Sequence, residues 1–279
     1  MMEKIDAMDE IIPFFASPIY YHEIEKLLTA NSNLPGPRGN LTLAYSFADW
    51  FDKAWIHSDI LNLLFSWTKI SAEEAPTNHP REYLPFCGIL AICTYYRHAD
   101  EITKSDIMAQ LKIAMSDKRW RTREAVAMGL QRIAEKDFAP ILDSLSLWLA
   151  SANALEQRAF VATLAHPPIL HNKRIARYSL AISDEILSRI LLLSKESRRS
   201  EEFTVLSKGL QYALSVFVAA QPEEGFDLLK KYARFGDPDL NKIIRSNLSK
   251  SRLTKKHTDR VNTVYTIMNL NKEENEHAE

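Results

Sequence analysis

Apolar residues recur at spacings of three and four along most of this chain, the period of helices that bury one face. Roughly every 15 to 20 residues the pattern is interrupted by Pro, Gly or a capping side chain. It predicts fourteen helices, near 3–15, 19–30, 41–55, 58–70, 83–98, 104–116, 119–135, 138–151, 154–165, 173–194, 201–220, 223–235, 238–254 and 257–271. Several starts carry their own chemistry. Thr103 with Asp106, and Asn153 with Glu156, have capping-box spacing, in which two side chains satisfy backbone donors of the first turn. Asp237 before Pro238 reads as an N-cap followed by Pro at the first helical position, and Pro222 opens its helix in the same way.

Fourteen helices in 279 residues make about one antiparallel pair per 40 residues, the period of HEAT-type arrays. One repeat is partly legible in DKRWRTREAVAMGL, where Asp117 marks a turn, Arg123 sits on the helix, and Ala125, Val126, Ala127 and Leu130 form an apolar stripe. Arg158, Val161 and Ala162 repeat the places of Arg123, Val126 and Ala127 one repeat later, and GDPDLNKIIRSNL from Gly236 is a weaker echo. The expected fold is all-α, a right-handed α-solenoid of about seven HEAT-like antiparallel helix pairs. It is expected to span residues 1–272 as one domain, followed by an acidic tail over 273–279 that frays.

The segments SNLPGPRGN (Ser32 to Asn40), RWRTREAVAMGLQRI (Arg119 to Ile133) and KIIRSNLSKSRL (Lys242 to Leu253) resemble those of an uncharacterised group of bacterial HEAT-repeat proteins. More remotely, the architecture resembles the HEAT-like DNA alkylation-repair glycosylases. In that family a basic concave face holds DNA while aromatic residues and an Asp surround the damaged nucleotide. That motif has no residue-by-residue match here, so the resemblance implies a fold and not an activity.

Composition agrees with helices. Only 7 residues are Gly, and 33 Leu stand against 7 Val, a bias away from strands. The longest apolar run, Leu84 to Cys93, contains Pro85 and is too short to span a bilayer, and the acidic start MMEKIDAMDE is unlike a secretory signal. A cytoplasmic protein with no membrane partner is expected. Cys87 and Cys93 lie six apart, on different faces of one helix, and read as reduced core thiols.

No nucleophile elbow, Walker loop or dinucleotide glycine motif occurs, so no catalytic residue and no cofactor is assigned. His166 and His171 flank a Pro-Pro break but lack the further ligands zinc needs, and no metal is assigned. Asp49 and Asp52 are spaced like a carboxylate pair beside aromatic residues, although a solvated face is the plainer reading. The candidates for partner binding are Arg38, in a loop rich in Pro and Gly, and Arg119, Trp120 and Arg121, where guanidinium and indole groups cluster. For Arg123 the expected role is structural, tying adjacent repeats through a turn carboxylate.

Charge divides the partner classes. The net charge of −1 is unlike that of a duplex-binding solenoid, so a protein or peptide is the expected partner and nucleic acid the alternative. Residues 1–30 carry six acidic and two basic groups, whereas 230–260 carry ten basic and three acidic. Within the basic segment, Arg245, Lys250, Arg252, Lys255 and Lys256 are expected on or just after one helix and are the candidates for contacting nucleic acid. Arg119, Arg121, Lys173, Arg174 and Arg177 are expected to extend them into a stripe.

Overall fold

The computed structural model describes residues 7–276, and among these it is all-helical, with no strand. In chain order the helices are α1 (Ala7–Ile11), α2 (Tyr21–Ala30), α3 (Leu41–Asp49), α4 (Ser58–Thr68), α5 (Tyr83–Tyr95) and α6 (Glu101–Ala114). They continue with α7 (Trp120–Lys136), α8 (Ala139–Leu149), α9 (Ala154–Leu164), α10 (Pro167–Leu170), α11 (Lys173–Leu191) and α12 (Glu201–Ala220). The last four are α13 (Pro222–Ala233), α14 (Pro238–Leu248), α15 (Ser251–Thr254) and α16 (Thr258–Glu276). The chain divides into two compact units, one ending at Ser144 and the other beginning at Leu145.

The caps explain most starts. Asn153 and Glu156 form the full capping box of α9, and Asp237 accepts from the backbone of Asp239 and Leu240 at the start of α14. The expected box at Thr103 and Asp106 is corrected. Asp100 caps α6 instead, accepting from the Thr103 backbone at 2.7 Å, because its carboxylate is already placed one turn earlier.

Tertiary packing moves other boundaries. The first expected helix, whose residues 3–6 lie outside the described residues, gives way after α1 to a 3-10 turn over Ile12–Ala16 that contains Pro13. The helix expected to reach 55 stops at Asp49, where Trp50 stacks on Phe15 at 4.1 Å and Phe51 is fully buried. The helix expected over 238–254 is two helices, because Lys250 is extended at ψ 134°. The register gives the reason. Leu253 lies eleven residues after Lys242, so an unbroken helix would carry it on the same solvent face; the break turns Leu253 fully inward. At the C-terminus α16 runs to Glu276, so the expected tail begins helical, and its last three residues lie outside the described residues.

Each unit is organised around one helix. In the first, α5 buries twelve of its thirteen residues and packs against α2, α3, α4 and α7. Gly129 of α7 allows the closest approach, since a Cβ there would lie 2.5 Å from the Cys93 sulfur. In the second unit α12 is central, packing against α9, α11, α13 and α14. By length and composition α12 could cross a membrane, a feature the sequence reading passed over; Phe203, Leu206, Leu210, Leu214 and Phe217 are buried within its unit.

Alternate helices also pack together: α3, α5 and α7 in the first unit, and α9, α12, α14 with α11, α13, α16 in the second. Side-chain bonds repeat at a matching interval. In the first unit Trp67 donates to Glu25, Tyr83 to Asn40, Arg97 to Asp52 and Gln110 to Thr68, at separations of 42 to 45 residues. In the second, Arg189 donates to Leu149, Tyr232 to Asp184, Arg198 to Asp237 and Asn247 to Leu210, at separations of 37 to 48 residues. Two further bonds of the first unit, Arg132 to Asp49 and Arg121 to Gly36, span 83 and 85 residues, about two intervals.

Candidate functional site

Two groups of cations carry the functional question, one in each unit. In the first unit, the turn before α7 folds Arg119 back on its own neighbour. Asp117 accepts from the Arg119 backbone at 2.7 Å and from its guanidinium at 2.9 and 2.7 Å. The remaining guanidinium donors reach the carbonyls of Ile70, Ser71 and Ala75, leaving Arg119 only 1% exposed. Arg121 is 5% exposed and donates to Glu82 at 3.0 Å, to Asn78 at 2.9 Å and to the carbonyl of Gly36. Glu82 is itself fully buried, and its second carboxylate oxygen has no hydrogen-bond partner.

Arg119 and Arg121, expected as partner-binding groups, are therefore corrected to internal ones: their donors are turned away from solvent into the fold. Arg123 also turns inward and is 8% exposed. It donates to the carbonyls of Asp117 and Lys118, while Arg119 takes the turn carboxylate. Trp120 is 45% exposed, with the Arg121 guanidinium 4.4 Å from its ring centre, and Arg38 is exposed on its loop. Arg121 thus links the Gly36 turn of that loop to Trp120. The loop needs its glycine there, because a Cβ on Gly36 would lie 2.5 Å from the Asn33 carbonyl.

In the second unit the cations face outward. Helical spacing puts Lys242 and Arg245 on one exposed side of α14, continued by the C-cap Ser249, and Lys208 and Tyr212 on one exposed side of α12. These sides adjoin. Ser246 of α14 donates to the Gln211 carbonyl of α12 at 3.2 Å, and Asn247 donates to Leu210. Arg252 of α15 lies over the Tyr212 ring at 4.9 Å, and Arg245 lies over Tyr265 of α16 at 5.9 Å. On the far side of α12, Gly209 meets the Arg158 stem, which a Cβ would approach to 3.1 Å.

The two carboxylates that open α14 are committed elsewhere. Asp237 and Asp239 both hold Arg198, at 2.7 and 3.1 Å. Among the described residues no carboxylate lies within ion-pair distance of Lys208, Lys242, Arg245 or Arg252. Lys255 and Lys256 are exposed beyond α15, and Lys250 caps it, so the expected single basic helix is a basic corner built from α14, α15 and the turn after them.

The longer stripe does not form. Arg119 and Arg121 are buried, and Arg177 pairs with Glu224 of α13 at 3.0 Å; Lys173 and Arg174 are exposed in the first turn of α11. Sequence reading missed Lys208, Tyr212, Lys242 and Tyr265. The i,i+4 spacing of Lys208 and Tyr212 was the available signal, but only packing shows which side of α12 is bare.

The remaining candidates resolve into separate contacts. Asp49 takes Arg132 at 2.6 Å, while Asp52 takes Arg97 and His98, so the two carboxylates do not form a pair. Burial pushes both the Cys87 and Cys93 thiols up from the ordinary thiol range. A shallow cavity of about 230 Å³ lies between α13 and α16, lined by Glu223, Phe226, Asp227, Lys230, Arg260 and Thr263. Its charges pair internally, Arg260 with Glu223 and Lys230 with Asp227. Comparison with protein-family models, with curated proteins and with solved structures finds no match to the chain.

Proposed function

We propose that the chain is a non-catalytic, right-handed α-solenoid of HEAT-like helix pairs that acts as a cytoplasmic scaffold, holding a protein or peptide partner on its helical surface. The observation that carries the reading is the register of its internal bonds. Contacts that recur at intervals near 40 residues, together with packing between alternate helices, are what stacked helix pairs produce. Membership of the bacterial HEAT-repeat group belongs to the same proposal. Small-angle scattering of the full chain tests the architecture, and one elongated superhelical particle is expected. Capture from native lysate tests the function, with a stoichiometric protein partner expected. A globular scattering profile counts against the solenoid, and repeated recovery of no partner counts against the scaffold.

Nucleic acid is the second reading, favoured by the basic corner after α14. If that corner binds duplex, replacing Lys250, Arg252 and Lys255 with Ala flattens the slope of log affinity against log salt by roughly 2 to 3 units. Equal slopes for parent and variant remove this reading.

A further inference from the structure

We propose that the exposed face running from Lys208 and Tyr212 on α12 to Lys242 and Arg245 on α14, with Arg252 beside it, docks an Asp/Glu-rich segment of a partner protein. The inference rests on the scaffold reading and names the chemistry of the partner. Its first ground is charge without counter-charge. Four cations on adjoining helices have no carboxylate partner among the described residues, and their mutual repulsion falls when an acidic chain is laid across them. Its second ground is geometry. A guanidinium resting on a tyrosine ring is held in place while its edge N–H groups stay free, and two parallel N–H donors match the two oxygens of a carboxylate.

The same geometry disfavours single-stranded nucleic acid, which binds by stacking its bases. Base stacking needs open aromatic faces, and at Tyr212 and Tyr265 a guanidinium lies where a base would stack. Charge over the whole chain points the same way. The unit ending at Ser144 has 15 basic and 20 acidic residues, whereas the unit beginning at Leu145 has 20 basic and 16 acidic. The excess of basic residues is confined to the second unit, which suits a short acidic segment.

The test is fluorescence anisotropy of a labelled oligoglutamate peptide with the full chain at low salt, its folding checked by thermal melting. The parent is expected to bind, Arg245→Ala/Arg252→Ala to bind at least about tenfold more weakly, and Arg245→Lys/Arg252→Lys to fall between them, since it keeps the charge and loses the paired donors. Lys69→Ala, an exposed change in the other unit, is expected to match the parent. Equal binding by the parent and the double Ala variant overturns the proposal. So does tighter binding of a DNA duplex of equal charge, or no peptide binding by the parent. Lysate capture separates this inference from the reading beneath it. A stoichiometric partner recovered equally by the parent and the double Ala variant leaves the scaffold standing and overturns the acidic-segment site.

Discussion

Arg119 and Arg121 in the first unit and Arg245 and Arg252 in the second are one residue type with opposite fates. The first pair points into the fold, toward Asp117, Glu82 and four backbone carbonyls. The second pair rests on tyrosine rings at the surface, with no carboxylate within ion-pair distance among the described residues. Burial accounts for the difference. A guanidinium withdrawn from water must have its charge and donors matched by the fold, whereas an exposed one needs no partner. The first pair therefore belongs to stability, and the second to the surface.

The largest expected effect comes from breaking the internal pair. Arg121→Ala leaves the fully buried Glu82 without its cation, and urea unfolding should show a loss of about 3 to 5 kcal/mol. Replacing Glu82 and Arg121 together with Met should cost less than Arg121→Ala alone, because no stranded charge remains. If the single variant were as stable as the parent, the first arginine cluster would not be holding its unit together.

Next in size is a close helix contact in the same unit. Gly129→Ala places a methyl group against Cys93 at the α5–α7 crossing, and the same unfolding measurement should show a loss of about 1 to 3 kcal/mol. Adding Cys93→Ala to Gly129→Ala sharpens the test. Relief of the clash should make the double variant less destabilised than the sum of the two single changes.

The smallest effect on stability is expected from the other side of the comparison. Arg245→Ala and Arg252→Ala should each change unfolding stability by less than about 0.5 kcal/mol, since neither side chain anchors a buried group. A loss of several kcal/mol from either would make these residues part of the fold and withdraw them from partner binding.

Helical periodicity, Pro222, Asp237 and the Asn153–Glu156 box made most of the elements legible, because they act within one turn of the chain. The errors arose where distant residues decide. No local pattern announces that Trp50 will stack on Phe15 and end α3, or that Leu253 will be drawn inward and break the last basic helix. The arginine cluster before α7 was visible as RWRTR, but the distant partners that bury it lie 39 to 85 residues upstream, beyond any local reading. The bare face in the second unit was half legible. Arg245 and Arg252 stood out as charges, while Tyr212 and Tyr265 became part of the site only once α12, α14 and α16 were packed.

The most direct measurement is arginine-selective labelling of the native chain with phenylglyoxal, followed by peptide mapping. The account predicts rapid modification of Arg245 and Arg252, slowed by oligoglutamate, and modification of Arg119 and Arg121 only after urea unfolding. Labelling all four at similar rates in the native chain would contradict it.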